Sequence, residues 1–112
     1  MYNDVKTFIE ACDQEVNDKN ANLYANLVTE EFEEFWEAEN DVERLDACMD
    51  MIWVILGFCH MRGYDVAGAW AEVARSNLSK IDPTTGKVIK REDGKVLKPE
   101  GWTPPQLELF VK

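Results

Sequence analysis

From Ala47 to Cys59 every side chain is uncharged except Asp50. The run "MIWVILGFCHM" at 51–61 is long enough for three turns of helix but too short to cross a bilayer. A helix that is apolar almost all round has to be covered by other helices. The feature therefore directs the chain toward a helical bundle with this segment at its centre. It also makes Asp50 an anomaly, because a carboxylate in apolar surroundings is costly unless something compensates it.

The surrounding sequence supplies the covering elements. Asp4 can cap a first helix running to about Val16, with Val5, Phe8, Ile9, Cys12 and Val16 at helical spacing. "NDKNAN" breaks that pattern. A second helix is predicted from about Leu23 to Glu39, and a third from about Val42 to Met61, closed by Gly63. Asp65 can cap a fourth, through Val66, Trp70, Val73 and Ala74 to about Ser79. No strand pattern interrupts residues 1–80, so the expected fold class is all-α, a four-helix bundle. Residues 81–112 differ in character: Pro, Gly and Lys are frequent, and Gly-Lys-Val-x-Lys occurs at 86–90 and again at 94–98. Asp93-Gly94 between "KVIK" and "KVLK" is a two-residue turn signal, which predicts a short basic hairpin as an extension of the same domain. At 112 residues the chain is expected to form one small domain.

The formal charge of −10 argues against nucleic acid and anionic membranes as partners, since both are polyanions, and favours cations. Cys12, Cys48 and Cys59 are odd in number and far apart, which suits reduced thiols and no zinc site. With "MYNDVKTF" lacking the character of a signal peptide, a cytoplasmic location is expected.

Acid is most concentrated in "EEFEEFWEAEND" at 30–41. On a helical wheel Leu23, Tyr24, Leu27, Val28, Phe35 and Ala38 form one apolar face. Glu31 falls in the middle of that face and Glu34 inside its edge, whereas Glu30, Glu33 and Glu37 fall on the solvent side. The third helix repeats the pattern, with Asp46 and Asp50 one turn apart, Glu43 nearby, and Gly57 able to permit a close helix approach. Two helices that each turn carboxylates inward can build the oxygen-rich cage that Mg²⁺ or Mn²⁺ requires. Glu30, Glu33, Glu37 and Glu39 read as an ordinary solvated face. For Glu43 and Asp46, near a helix start, the helix dipole offers a competing explanation.

Glu-Glu-x-x-Glu (Glu30, Glu31, Glu34), the later acids ending at Asp50 in "DACMDMIWVILGFCHMRGYD", then "AWAEVARSNLSKID" and "GKVIKREDGKVLKPEGW", resemble the all-α nucleoside triphosphate pyrophosphohydrolases, in their short phage or bacterial form. This MazG-like superfamily includes the dimeric dUTPases and phosphoribosyl-ATP pyrophosphohydrolase. The chain departs from the family's usual Glu-x-x-Asp on the second metal helix, because Ala47 stands three before Asp50. Either Asp46 or Glu43 then completes the set.

The resemblance implies hydrolysis of an NTP or dNTP between its α- and β-phosphates, with two or more Mg²⁺ (or Mn²⁺) ions per site. It implies Glu31, Glu34, Asp50 and Asp46 as metal ligands, with Glu30 orienting the attacking water or bridging subunits. Lys80, Arg91, Lys95 and Lys98 are candidate phosphate contacts, and Asn77 a contact to phosphate, sugar or base. The bland reading of the lysines is a solubilised hairpin. Trp53, Trp70 and Trp102 are candidate base platforms, with core packing the stronger expectation for the first two; His60 is expected to be structural. A homodimer or dimer of dimers is expected to cover the apolar third helix. The rival reading is a non-catalytic acidic helical interaction module, or a metal-binding regulator. Neither explains carboxylates on the apolar faces of two successive helices as directly as the first does.

Overall fold

The computed structural model describes all 112 residues. The fold is all-α: α1 (Tyr2–Ala11), α2 (Asp18–Glu37), α3 (Asp41–Arg62) and α4 (Val66–Leu78), followed by β1 (Ile81–Asp82), β2 (Lys87–Val88) and a 3-10 turn at Glu108–Phe110. It divides into two compact units, Met1–Val66 with Val111, and Ala67–Phe110 with Lys112.

In the first unit, local chemistry fixes where each helix starts and stops. Asn17 caps α2, its side chain accepting from the Asn20 amide at 2.8 Å. This cap starts the helix about one turn before Leu23, where hydrophobic periodicity alone had placed it. Asn40 caps α3 in the same way through the Glu43 amide at 2.9 Å, and Glu43 reaches back to the Glu39 amide at 2.9 Å. This reciprocal pairing satisfies two otherwise orphaned donors. Gly63 ends α3 in the left-handed conformation (φ 70°), with its amide bonded back to the last turn. Cys12 closes α1 earlier than Val16, which stands exposed.

Val5 and Ile9 of α1, Ala21 and Tyr24 of α2, and Val54 and Met61 of α3 form the core, with Leu27, Val28, Leu56 and Phe58 packed against it. The close approach of α2 and α3 runs over Gly57: a Cβ there would lie 2.5 Å from the Tyr24 ring. The Tyr24 hydroxyl donates to Gln14 Oε1 at 2.6 Å, and the Tyr2 hydroxyl pairs with His60 Nδ1 at 2.8 Å, a structural role for the single histidine. Within this chain α3 is not buried all round, however. Val42, Leu45, Met49, Ile52, Trp53 and Ile55 remain exposed, because α1 and α2 cover only part of its circumference.

In the second unit, Ile81–Asp82 pairs antiparallel with Lys87–Val88. The two arms expected to flank Asp93-Gly94 meet at a single bridge, Lys90 with Val96, beside the Leu97 amide to Ile89 carbonyl bond. Trp70, expected in a core, is 74 % exposed. No helix of the chain is long and apolar enough to cross a membrane.

Candidate metal centre

The loop Ala38–Glu39–Asn40 folds α3 back beside α2 and brings their acidic positions together. Glu31, Glu34 and Asp50 each present a carboxylate oxygen within 4.8 Å of the others. Asp50 is half-buried, Glu31 likewise, and Glu34 lies at the exposed rim. The Glu31 Oε2 atom is buried and has no hydrogen-bond partner. Burial, a hydrogen bond with Glu34 and the negative charges of Glu34, Asp50 and Asp46 push the Glu31 carboxyl up to about 7. Burial also raises Asp50, with Asp46 and Glu34 adding to it.

An orphaned oxygen among converging carboxylates is what a hard divalent cation satisfies. The residues present therefore fit Mg²⁺ or Mn²⁺, with Glu31, Glu34 and Asp50 as the nearest ligands. A cleft of about 260 Å³ opens beside them, lined by Glu34, Glu37, Ala38, Glu43, Asp46 and Ala47. Asp46 and Glu43 differ in how they face this cleft. Glu43 is bonded to the Glu39 amide as part of the α3 cap, while Asp46 acts electrostatically on both Glu31 and Asp50. Glu30 is exposed and outside the cluster. Glu37, read from the wheel as plain solvent face, lines the cleft because it ends α2 just where the chain turns.

The basic candidates lie in the second unit. Lys80 Nζ donates to Asn77 Oδ1 at 3.1 Å and stands 5.3 Å from the Trp102 ring centroid, and Lys98 Nζ stands 4.8 Å from the same centroid. Lys95 is exposed, its amide bonded to Asp93. Arg91 Nη2 pairs with Asp93 at 2.7 Å, so its charge is already matched locally. Sequence reasoning did not single out Glu72 or Ser76, which tie this region together. Only the turn-rich composition after Lys80 hinted that α4 would need a partner segment.

An all-α fold whose second and third helices turn three carboxylates onto one point defines a nucleotide pyrophosphohydrolase of the MazG-like superfamily. The chain belongs to the phosphoribosyl-ATP pyrophosphohydrolase family, whose model matches residues 4–77. No curated protein matches it. The match runs from the third residue of α1 to the penultimate residue of α4 and includes every carboxylate of the centre.

Proposed function

We propose that this chain is a Mg²⁺- or Mn²⁺-dependent (d)NTP pyrophosphohydrolase that yields the nucleoside monophosphate and pyrophosphate. The reading is carried by one observation, the unpartnered Glu31 Oε2 within the Glu31, Glu34 and Asp50 cluster. Glu31, Glu34 and Asp50 hold the metal, with Asp46 as fourth ligand and two or more ions per site. A divalent ion held by these carboxylates would supply charge neutralisation to the phosphate oxygens and would make the attacking water more acidic. Glu30 and the outer oxygens of Glu31 and Glu34 orient the attacking water and accept its proton. In the net reaction water adds across the α,β-phosphoanhydride: an oxygen–phosphorus bond forms, the bridging bond breaks, and pyrophosphate leaves. The role of this chemistry is nucleotide-pool control or monophosphate supply. Phosphate contacts come from Asn77, Lys80, Lys95 and Lys98, with Arg91 the weakest candidate because of Asp93.

The enzyme works as a homodimer or dimer of dimers in the cytoplasm. On α3, Val42, Leu45, Met49, Ile52 and Leu56 recur at alternating three- and four-residue spacing, and all but Leu56 are exposed. That stripe suits helix-to-helix packing against a second copy.

Product analysis over all NTPs and dNTPs with Mg²⁺ or Mn²⁺, alongside Glu31→Gln and Asp50→Asn, tests the reading. Monophosphate and pyrophosphate are expected, dependent on metal and lost in both variants. Release of diphosphate and orthophosphate, or the absence of turnover with every nucleotide, would overturn it, and the latter would favour a non-catalytic acidic module.

A further inference from the structure

The fourth helix ends without a local stop signal. Where Gly63 closes α3 in the left-handed conformation, Leu78 of α4 is followed by Ser79, Lys80 and Ile81, and neither glycine nor asparagine is among them. The last four carbonyls of a helix have no partner within it, and an end left so frays. Here the partners come from elsewhere in the same unit. The Ser76 carbonyl accepts from Trp102 Nε1 at 2.8 Å and from Ser79 Oγ at 2.7 Å, and the Asn77 carbonyl accepts from the Lys80 amide at 3.2 Å. The stop of α4 is thus partly written 26 residues further along the chain.

The indole is held at this helix end by its neighbours. Ser76 is 1 % exposed, and its hydroxyl donates to the Thr103 carbonyl at 2.9 Å. One turn earlier, Glu72 accepts from the Gln106 amide and, at 2.6 Å, from Arg75 Nε, while Arg75 Nη2 donates to Thr103 Oγ1 at 3.2 Å. Residues 102–106 are thereby strapped to α4 along its last two turns. Asn77 follows Ser76 directly and, unlike it, is exposed. Lys80 Nζ takes its Oδ1 at 3.1 Å, which orients the amide and keeps Nδ2 as a donor.

We propose that Ser76, Glu72 and Trp102 are positioning residues: they latch the last turn of α4 and act on nucleotide binding through Asn77, without touching the nucleotide themselves. The latch rests on its own hydrogen bonds, while the nucleotide as what Asn77 meets rests on the pyrophosphohydrolase reading. A donor on a fraying turn has to be immobilised as the ligand binds, and that cost is subtracted from affinity. A latch formed beforehand removes the cost from ground state and transition state alike, so it lowers KM and leaves kcat as it is. The strap itself, residues 102–106, lies beyond residue 77 and outside the matched family segment. The dependence of α4 on it belongs to this chain's own C-terminal extension.

The test joins steady-state kinetics of the full chain, with Mg²⁺ and the nucleotide it turns over fastest, to amide hydrogen exchange without nucleotide. Ser76→Ala and Trp102→Phe, which keeps a ring but lacks the N–H, are each expected to raise KM about tenfold with kcat within about twofold. Glu72→Leu is expected to do the same, and Glu72→Gln, which keeps an oxygen for the Gln106 amide, to recover most of the loss. In exchange, the Ser79 and Lys80 amides are expected to lose protection in Ser76→Ala while α2 and α3 keep theirs, a split that general destabilisation would not give. Asn77→Ala is expected to raise KM by itself, and adding Ser76→Ala to it to raise KM no further, because the residue acted through is already gone. Additive effects in that pair, an unchanged KM in both Ser76→Ala and Trp102→Phe, or parental exchange at Ser79 and Lys80 would overturn the proposal. A parent that turns over no nucleotide defeats the function reading instead, and the latch then stands or falls on the exchange pattern alone.

Discussion

Replacing Glu31 by glutamine keeps the side chain's outline and removes one charge from a cluster that also holds Glu34 and Asp50. In the metal-free protein, Glu31→Gln is therefore expected to raise stability by about 1 kcal/mol, roughly 4 °C in Tm for a chain of this length. Thermal melts with and without Mg²⁺ check it, since the ion should stabilise the parent and not the variant; a variant that melts below the metal-free parent would contradict the account. Gly57→Ala tests packing at the same scale. The added Cβ would meet the Tyr24 ring, a side chain pinned by Gln14, so the ring has little room to yield. Urea unfolding should show a loss of about 1–3 kcal/mol. Glu31 and Asp50 were legible in the sequence because their charge contradicts their helical position. The different surroundings of Asp46 and Glu43 were not, since they turn on how the Glu39 and Asn40 backbone enters α3 and draws Glu43 into the cap.

At the scale of elements, the segment strapped to α4 has its own pH signature. The Arg75 guanidinium, then the Gln106 amide, hold the Glu72 carboxyl at about 2, below its ordinary 4.5. A depressed carboxyl stabilises the strap fully above pH 4.5, and that contribution is lost as pH falls through about 2. The Gln106 amide resonance should titrate with its midpoint near pH 2, and Glu72→Gln should abolish the step; a midpoint near 4.5 would show the contact is not formed in solution. Periodicity located all four helices but placed the start of α2 too late, because it registers apolar residues and Asn17 starts the helix before the first large one. The Lys80, Lys98 and Trp102 grouping was out of reach for a different reason. It depends on the path of the turns between residues 80 and 102, which no local pattern encodes.

At the scale of the whole molecule, the proposed self-association rests on the exposed stripe on α3. Leu45 and Met49 are 61 % and 51 % exposed, and no charge interrupts the stripe between them and Trp53 except Asp50, which turns toward the carboxylate cluster. The double substitution Leu45→Glu, Met49→Glu is expected to convert the protein to a monomer in sedimentation equilibrium while leaving its helical circular dichroism unchanged. A parent that already sediments as a monomer would remove the basis for a self-associating α3. The sequence disclosed the apolar character of α3 and its need for cover, and within one chain part of its circumference indeed stays exposed.

The three-residue loop Ala38–Glu39–Asn40 has a kinetic consequence. The carboxylates that meet at the centre come from helices adjacent along the chain, so closing one tight turn suffices to assemble them. Short-range closure is entropically cheap and fast. The acid cluster is thus among the first tertiary features a refolding chain can form, and a divalent cation bound there as proposed would act as a nucleation partner, drawing α2 and α3 together against their own repulsion.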